Sequence, residues 1–301
     1  MGAKCSQECC AGDADGTNLK IGAASAATDE RDEWRGTESE GDGKESTNYF
    51  DREQPELKGL KGAKPLKDGA THTFASGAVY RGQWKENARH GVGRQTWPDG
   101  AVYEGEWREN RAIGNGRFTH GDGDAYVGEW VDNMASGRGT YYHKGSTTYN
   151  GDWKCDVQEG FGVEMWTDGA RYEGTFVNGQ KSGSGCYYWV DGSVYQGTWK
   201  DNVITGVGSY TASDGRCFRG QWQDSVIHGL GQYKWPGTRE YSGRYVLDQK
   251  HGFGIFTWPD GRRYEGYWVK GKQHGQGQYT TKAGETRLAE WKNGEKIRDI
   301  I

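Results

Sequence analysis

Residues 80–102 read Tyr-Arg-Gly-Gln-Trp-Lys-Glu-Asn-Ala-Arg-His-Gly-Val-Gly-Arg-Gln-Thr-Trp-Pro-Asp-Gly-Ala-Val, and the next stretch opens alike with Tyr103-Glu104-Gly105-Glu106-Trp107. The opening returns every 23 residues: Tyr126-Gly128-Trp130, Tyr149-Gly151-Trp153, Tyr172-Gly174-Phe176, Tyr195-Gly197-Trp199, Phe218-Gly220-Trp222, Tyr241-Gly243-Tyr245 and Tyr264-Gly266-Trp268. Nine copies without an insertion define a repeat array, in which each copy packs on its neighbours. Within a copy, Tyr80, Gly82 and Trp84 alternate with Arg81, Gln83 and Lys85, a period of two with one aromatic and one polar face. The expected unit is therefore a β-hairpin. A loop from Glu86 to His90 leads to Gly91 and Gly93, the return strand carries Gln95 and Trp97, and Pro98-Asp99-Gly100 turns into the next copy. The recurring Gly-x-Gly demands either a positive φ or the close approach of a ring.

Composition supports a thin sheet over a deep aliphatic core. Only 33% of the 301 residues are hydrophobic, while 14 Trp, 18 Tyr and 51 Gly are present. Large rings separated by glycine suit a layer with partly covered faces. Charge is unevenly placed: residues 1–57 hold 14 acidic against 6 basic residues, whereas 71–301 hold 27 against 28. A near-neutral array lacks the basic footprint of a nucleic-acid binder.

Residues 1–70 are expected to form a disordered acidic tail, too poor in apolar residues to offset chain entropy. Lys58, Lys61, Lys64 and Lys67 recur every third residue at its end, either as a basic stripe facing an anionic membrane or as a solvated linker. The array spans 71–291, with a half-copy before Tyr80, and 292–301 form a polar C-terminal cap. The extreme N-terminus, Met1-Gly2-Ala3-Lys4-Cys5-Ser6, fits the myristoylation pattern at Gly2, with Cys5, Cys9 and Cys10 placed for palmitoylation. One acyl chain anchors only marginally, so a second is needed for stable attachment. No fourth ligand accompanies those cysteines as zinc would require, and no catalytic or cofactor motif is present.

Tyr-x-Gly-x-Trp, six intervening residues, Gly-x-Gly and a later Asp-Gly resemble the MORN repeat (membrane occupation and recognition nexus) over residues 71–291. The resemblance implies an all-β fold: an elongated single-layer antiparallel sheet of tandem hairpins with an aromatic groove. It further implies a protein partner, cortical, cytoskeletal or motor-associated; together with the acylation signal and the lack of a catalytic motif, the chain reads as a non-enzymatic scaffold tethered to the cytoplasmic face of a membrane. Tyr103, Trp107, Tyr126, Trp130, Tyr149, Trp153, Tyr172, Tyr195 and Trp199 are the candidate groove residues. A module reading phosphoinositides or other anionic lipids is the alternative. Self-association into a homodimer through unpaired strand edges stays open.

Overall fold

The computed structural model describes residues 48–300. Among them twenty-one strands, from Thr71–Thr73 (β1) to Glu295–Asp299 (β21), belong to one antiparallel sheet. The chain divides into two compact halves between Lys181 and Ser182. In the first half each strand pairs with its chain neighbours as far as Arg171–Val177. From Gln180–Tyr188 onward the second follows the same order. The half-copy before Tyr80 is β1, paired with β2 (Val79–Lys85). The polar cap is a strand too: exposed β21 pairs with Thr286–Lys292.

The first copy shows why the sequence folds this way. β2 and β3 (Ala88–Thr96) are joined by only two residues, Glu86 and Asn87, with φ of 51° and 58°. Both central residues in the left-handed region make the mirror-image turn that matches strand twist. The expected five-residue loop is thus too long, because Ala88 to His90 already pair with Lys85 to Gln83. The register shifts after Gly82, which places a bulge at Gly91 and Val92. Gln83 caps that bulge by accepting the Val92 N–H at 2.8 Å.

The two glycines of Gly-x-Gly meet the two requirements separately. Gly91 has φ of +60°. At Gly93 an added Cβ would lie 2.2 Å from the Tyr80 hydroxyl oxygen. The Tyr80 ring folds down over Gly82 and Gly93, and its hydroxyl donates to Gln83 O at 3.0 Å. The space beside Gly82 is thus filled by the tyrosine of its own strand. Gly82 pairs with Gly93, Gly93 with Gly105 and Gly105 with Gly116, which continues a glycine track across the strands.

Consecutive hairpins are clamped at their turns. Asn110 donates its N–H to Arg89 O at 3.1 Å, and its side-chain oxygen accepts the Arg89 N–H at 2.7 Å. Asn133 does the same to Ala112, Asp156 to Ala135 and Asp248 to Ile227. Two backbone groups at the end of each of these hairpins are thereby satisfied by the next turn, whereas Gly179, Gly271 and Gly294 supply only the N–H.

Residues 48–66, expected within the disordered tail of 1–70, are instead folded onto the first copies. Asn48 caps a 3-10 turn over Tyr49–Asp51 by accepting the Phe50 N–H at 3.0 Å. A short helix, α1 (Gln54–Gly59), follows with Pro55 in its first turn, where the missing N–H costs nothing. Phe50 and Leu57 are buried at 3% and 1% exposure. The segment is too poor in apolar residues to fold alone; it is ordered by the ring surface already built by the array.

Candidate functional site

The aromatic face is built from four positions of each copy. The opening Tyr and the ring four residues later meet edge to face: Tyr103 and Trp107 lie 5.0 Å apart at 86°. Tyr103 also meets Trp130 of the following copy at 5.2 Å and 83°, a geometry that sets positive ring edges on negative faces. Return strands add rings such as Trp97 and Phe118, 5.8 Å apart. Trp107 and Trp130 donate their indole N–H to Gly93 O and Gly116 O, at 3.2 and 3.1 Å. All nine residues proposed from sequence for the groove are buried, none more than 5% exposed. They make the layer itself. Of these, Tyr103, Trp107 and Trp130 also touch the N-terminal segment. Gly2, Cys5, Cys9 and Cys10 lie outside the described residues.

Trp97, Tyr103, Trp107, Phe118 and Trp130 together form a box, and the ring of Phe50 occupies it. Its centroid lies 5.1 to 5.8 Å from those of all five rings. Tyr49 stands on the rim, 5.3 Å from Trp97 and 5.2 Å from Phe118. Its hydroxyl donates to Asp99 at 2.8 Å, and Arg52 reaches the same carboxylate at 3.3 Å. Burial works to raise the Asp99 carboxyl, but the Ala101 N–H, Tyr49 and Arg52 outweigh it and hold the group below the usual range.

A polar lock sits beside the ring. Glu53, 2% exposed, accepts from Gln95 at 3.0 Å, from the Trp97 indole at 3.4 Å and from Ser76 at 3.0 Å. Arg89 is fully buried, stacks 4.2 Å over Trp107, and donates to Phe50 O, Asn110 O and the Gln95 side chain. Burial pushes its guanidinium down to about 10, and the Glu53 charge opposes that shift. A buried carboxylate with three donors facing a buried guanidinium meets the condition under which charges tolerate desolvation. Farther along, Glu56 binds His72 at 3.0 Å and the Ala75 N–H at 2.8 Å, and Asn87 ties Leu60, Ala63 and Leu66 to the first turn.

The corresponding boxes three and six copies on are filled differently. Nine residues after Tyr103 stands Ala112; at that repeat position the chain places Lys181 and Lys250. Lys181 lies 4.9 Å over Trp166 and 5.5 Å over Tyr172, paired with Glu164 at 2.6 Å. Lys250, 1% exposed, lies 5.6, 5.4, 4.6 and 4.9 Å over Trp235, Tyr241, Phe256 and Trp268. Those four rings are the repeat equivalents of Trp97, Tyr103, Phe118 and Trp130.

Sequence reasoning missed Tyr49, Phe50 and Glu53. The signal was present: Tyr49-Phe50 is the sole pair of adjacent aromatics in residues 1–70, followed five residues after Phe50 by Pro55 in a helix-starting position. Among the described residues no group of His, Cys, Asp or Glu is arranged to hold a metal ion, and no helix is long and apolar enough to cross a membrane.

Comparison with solved structures finds the TCP10 domain of Danio rerio CPAP, 15% identical with a TM-score of 0.39, covering 68% of this chain and 96% of that one. The SAS-4 (dCPAP) TCP domain of Drosophila melanogaster, in complex with a proline-rich motif of Ana2, is 14% identical with a TM-score of 0.34, covering 60% and 90%. Likeness at this level carries no functional argument. No curated protein matches the chain. The family model for the MORN repeat matches nine stretches, 80–102, 103–125, 126–147, 149–171, 172–194, 195–215, 218–237, 241–262 and 264–286. With its nine tandem hairpins and their shared Tyr-x-Gly-x-Trp layer, the chain belongs to the MORN-repeat family.

Proposed function

We propose that this chain is a membrane-tethered, non-enzymatic adaptor: acyl groups at Gly2 and at Cys5, Cys9 and Cys10 hold it to the cytoplasmic face of a membrane, and the aromatic face of its repeats captures a segment of a cortical, cytoskeletal or motor-associated protein. The observation that supports this reading is the docked segment itself. A short peptide with one ring in a box, one buried carboxylate and a helical turn already sits on the array. That is the anatomy of a peptide-in-groove interface, in which a buried aromatic anchor is surrounded by polar contacts that fix its register. Proximity labelling in cells, comparing wild type with Gly2→Ala, tests the adaptor. The variant is expected to leave the membrane fraction and lose its cortical neighbours; unchanged location and neighbours overturn the tether.

A lipid-reading function is the second reading, and the four lysines support it. Lys58, Lys61, Lys64 and Lys67 are all exposed, and each such residue near an anionic surface is worth about 1 kcal/mol. Flotation of the full, unacylated chain with anionic vesicles separates the two. Strong binding favours the lipid module; binding that appears only after acylation favours the adaptor.

A further inference from the structure

We propose that copies one to three form an anchor site for a short helical peptide bearing two adjacent aromatic residues and, three positions after the second, a carboxylate, and that this chain's own Tyr49-Phe50-Asp51-Arg52-Glu53 holds the site closed in cis. The inference rests on the adaptor reading and names the ligand chemistry of its site.

Three observations converge. The second aromatic fills a five-ring box, and Ala112, which stands at the repeat position of Lys250, has no exposed surface. The carboxylate at Glu53 satisfies Gln95, Trp97 and Ser76 at once, donors that water or a partner's carboxylate must satisfy when the segment leaves. The backbone between them is read by Arg89, which donates to Phe50 O at 3.4 Å. The site therefore reads a ring, a carbonyl and an acid in a fixed spacing.

The segment is an added piece, whereas the boxes at Lys181 and Lys250 are filled by the array. At those positions a lysine from the sheet lies over the rings. At Ala112 the sheet provides only a methyl group, and the filling is borrowed from a peptide tethered through residues 61–70. A borrowed filling competes with an external peptide at the effective concentration its tether sets, which for short linkers is in the millimolar range. A partner therefore displaces it only when it is abundant or makes further contacts, or when the segment is pulled away.

The probe is a fluorescein-labelled peptide with the sequence of residues 48–60, titrated by anisotropy against the full chain. Phe50→Ala empties the box and should bind the probe at least tenfold more tightly than wild type does. Ala112→Lys refills the box from the sheet, as Lys181 and Lys250 do, so it should free the segment without binding the probe. Hydrogen exchange reads the release directly: amides of residues 50–60 should lose at least tenfold in protection in Ala112→Lys, while those of β2 and β3 keep theirs. Full segment protection in Ala112→Lys, or no gain of binding by a Phe50→Ala chain whose β2 and β3 amides stay protected, overturns the proposal. A wild-type chain that dimerises, with Ala112→Lys monomeric, assigns the segment to a second copy and overturns cis closure. Failure of this site leaves the Gly2→Ala experiment untouched, and loss of cortical neighbours there leaves the peptide titration untouched, so the two readings fall separately.

Discussion

Replacing Asp156 by Asn should stabilise the protein, and only above acidic pH. Asp156 holds the clamp position of its turn, where its side-chain oxygen accepts the Ala135 N–H at 2.6 Å. Asn110 and Asn133 make the same bond in the two preceding copies. An amide serves there as well as a carboxylate and carries no charge. Burial pushes the Asp156 carboxyl from 3.8 up to about 6, the Ala135 N–H opposing it. A raised acid favours the protonated form on folding, so the cost of ionisation is absent below about pH 4, grows through the window to about pH 6, and is constant above. At about 1.4 kcal/mol per pH unit, a shift of roughly two units sets a ceiling of about 3 kcal/mol, reduced by the solvent that reaches this half-buried turn. We expect Asp156→Asn to gain about 1–3 kcal/mol at pH 7 and nothing at pH 4. Urea unfolding of both proteins at unit intervals from pH 4 to 8 measures the difference. A gain independent of pH, or a variant less stable than wild type at pH 7, would refute the reasoning.

Three further outcomes are expected. Gly93→Ala sets a methyl group 2.2 Å from the Tyr80 hydroxyl oxygen; the ring must lift, and thermal unfolding should show a loss of about 1–3 kcal/mol, whereas an unchanged midpoint contradicts the ring-over-glycine packing. Tyr245→Phe removes a buried hydroxyl that has no hydrogen-bond partner, so the variant should match or exceed wild type by up to about 1 kcal/mol, as Phe176 already stands at the same repeat position. Glu53→Ala deprives Gln95, Trp97 and Ser76 of their shared acceptor; hydrogen exchange over residues 50–60 should accelerate by an amount equivalent to about 2 kcal/mol or more, and protection equal to wild type would show that the lock contributes nothing.

The hairpin order and the aromatic face were legible because both follow from local spacing. Tyr80, Gly82 and Trp84 must share one face of a strand, and a 23-residue repeat propagates that face. Turn length was misread because the signal lies in Glu86-Asn87 and its counterparts: only Asn178-Gly179 and Asn293-Gly294 carry the strong hairpin pair. The second glycine requirement, the ring of Tyr80 over Gly93, depends on how a side chain folds back across two strands. Order in residues 48–66 was illegible for a different reason. Its composition fails the test for independent folding, and that test is answered correctly; the surface that orders it is formed by rings as distant in sequence as Trp130. Buried polar partners such as Glu53 with Gln95 belong to the same class, since their spacing has no period.

Copies differ at the place nine residues after the opening tyrosine, which is Ala112 in the copy that carries Phe50 but Lys181 and Lys250 in the copies three and six on. The ring face of a single-layer sheet has no second layer to bury it, and a box is covered where a side chain is laid over it. A lysine closes it from within: its stem covers apolar surface and its ammonium rests on ring faces, as at Lys250. That closure belongs to the sheet and cannot be exchanged without unfolding it. Ala112 closes nothing. Phe50 brings more apolar area to its box than a lysine stem does, yet its attachment to the array is the run of residues 61–70 and a lock of hydrogen bonds that another peptide could reproduce. Strength of packing and permanence of packing thus come apart at this site. At Ala112 a structural box becomes one whose occupant is negotiable.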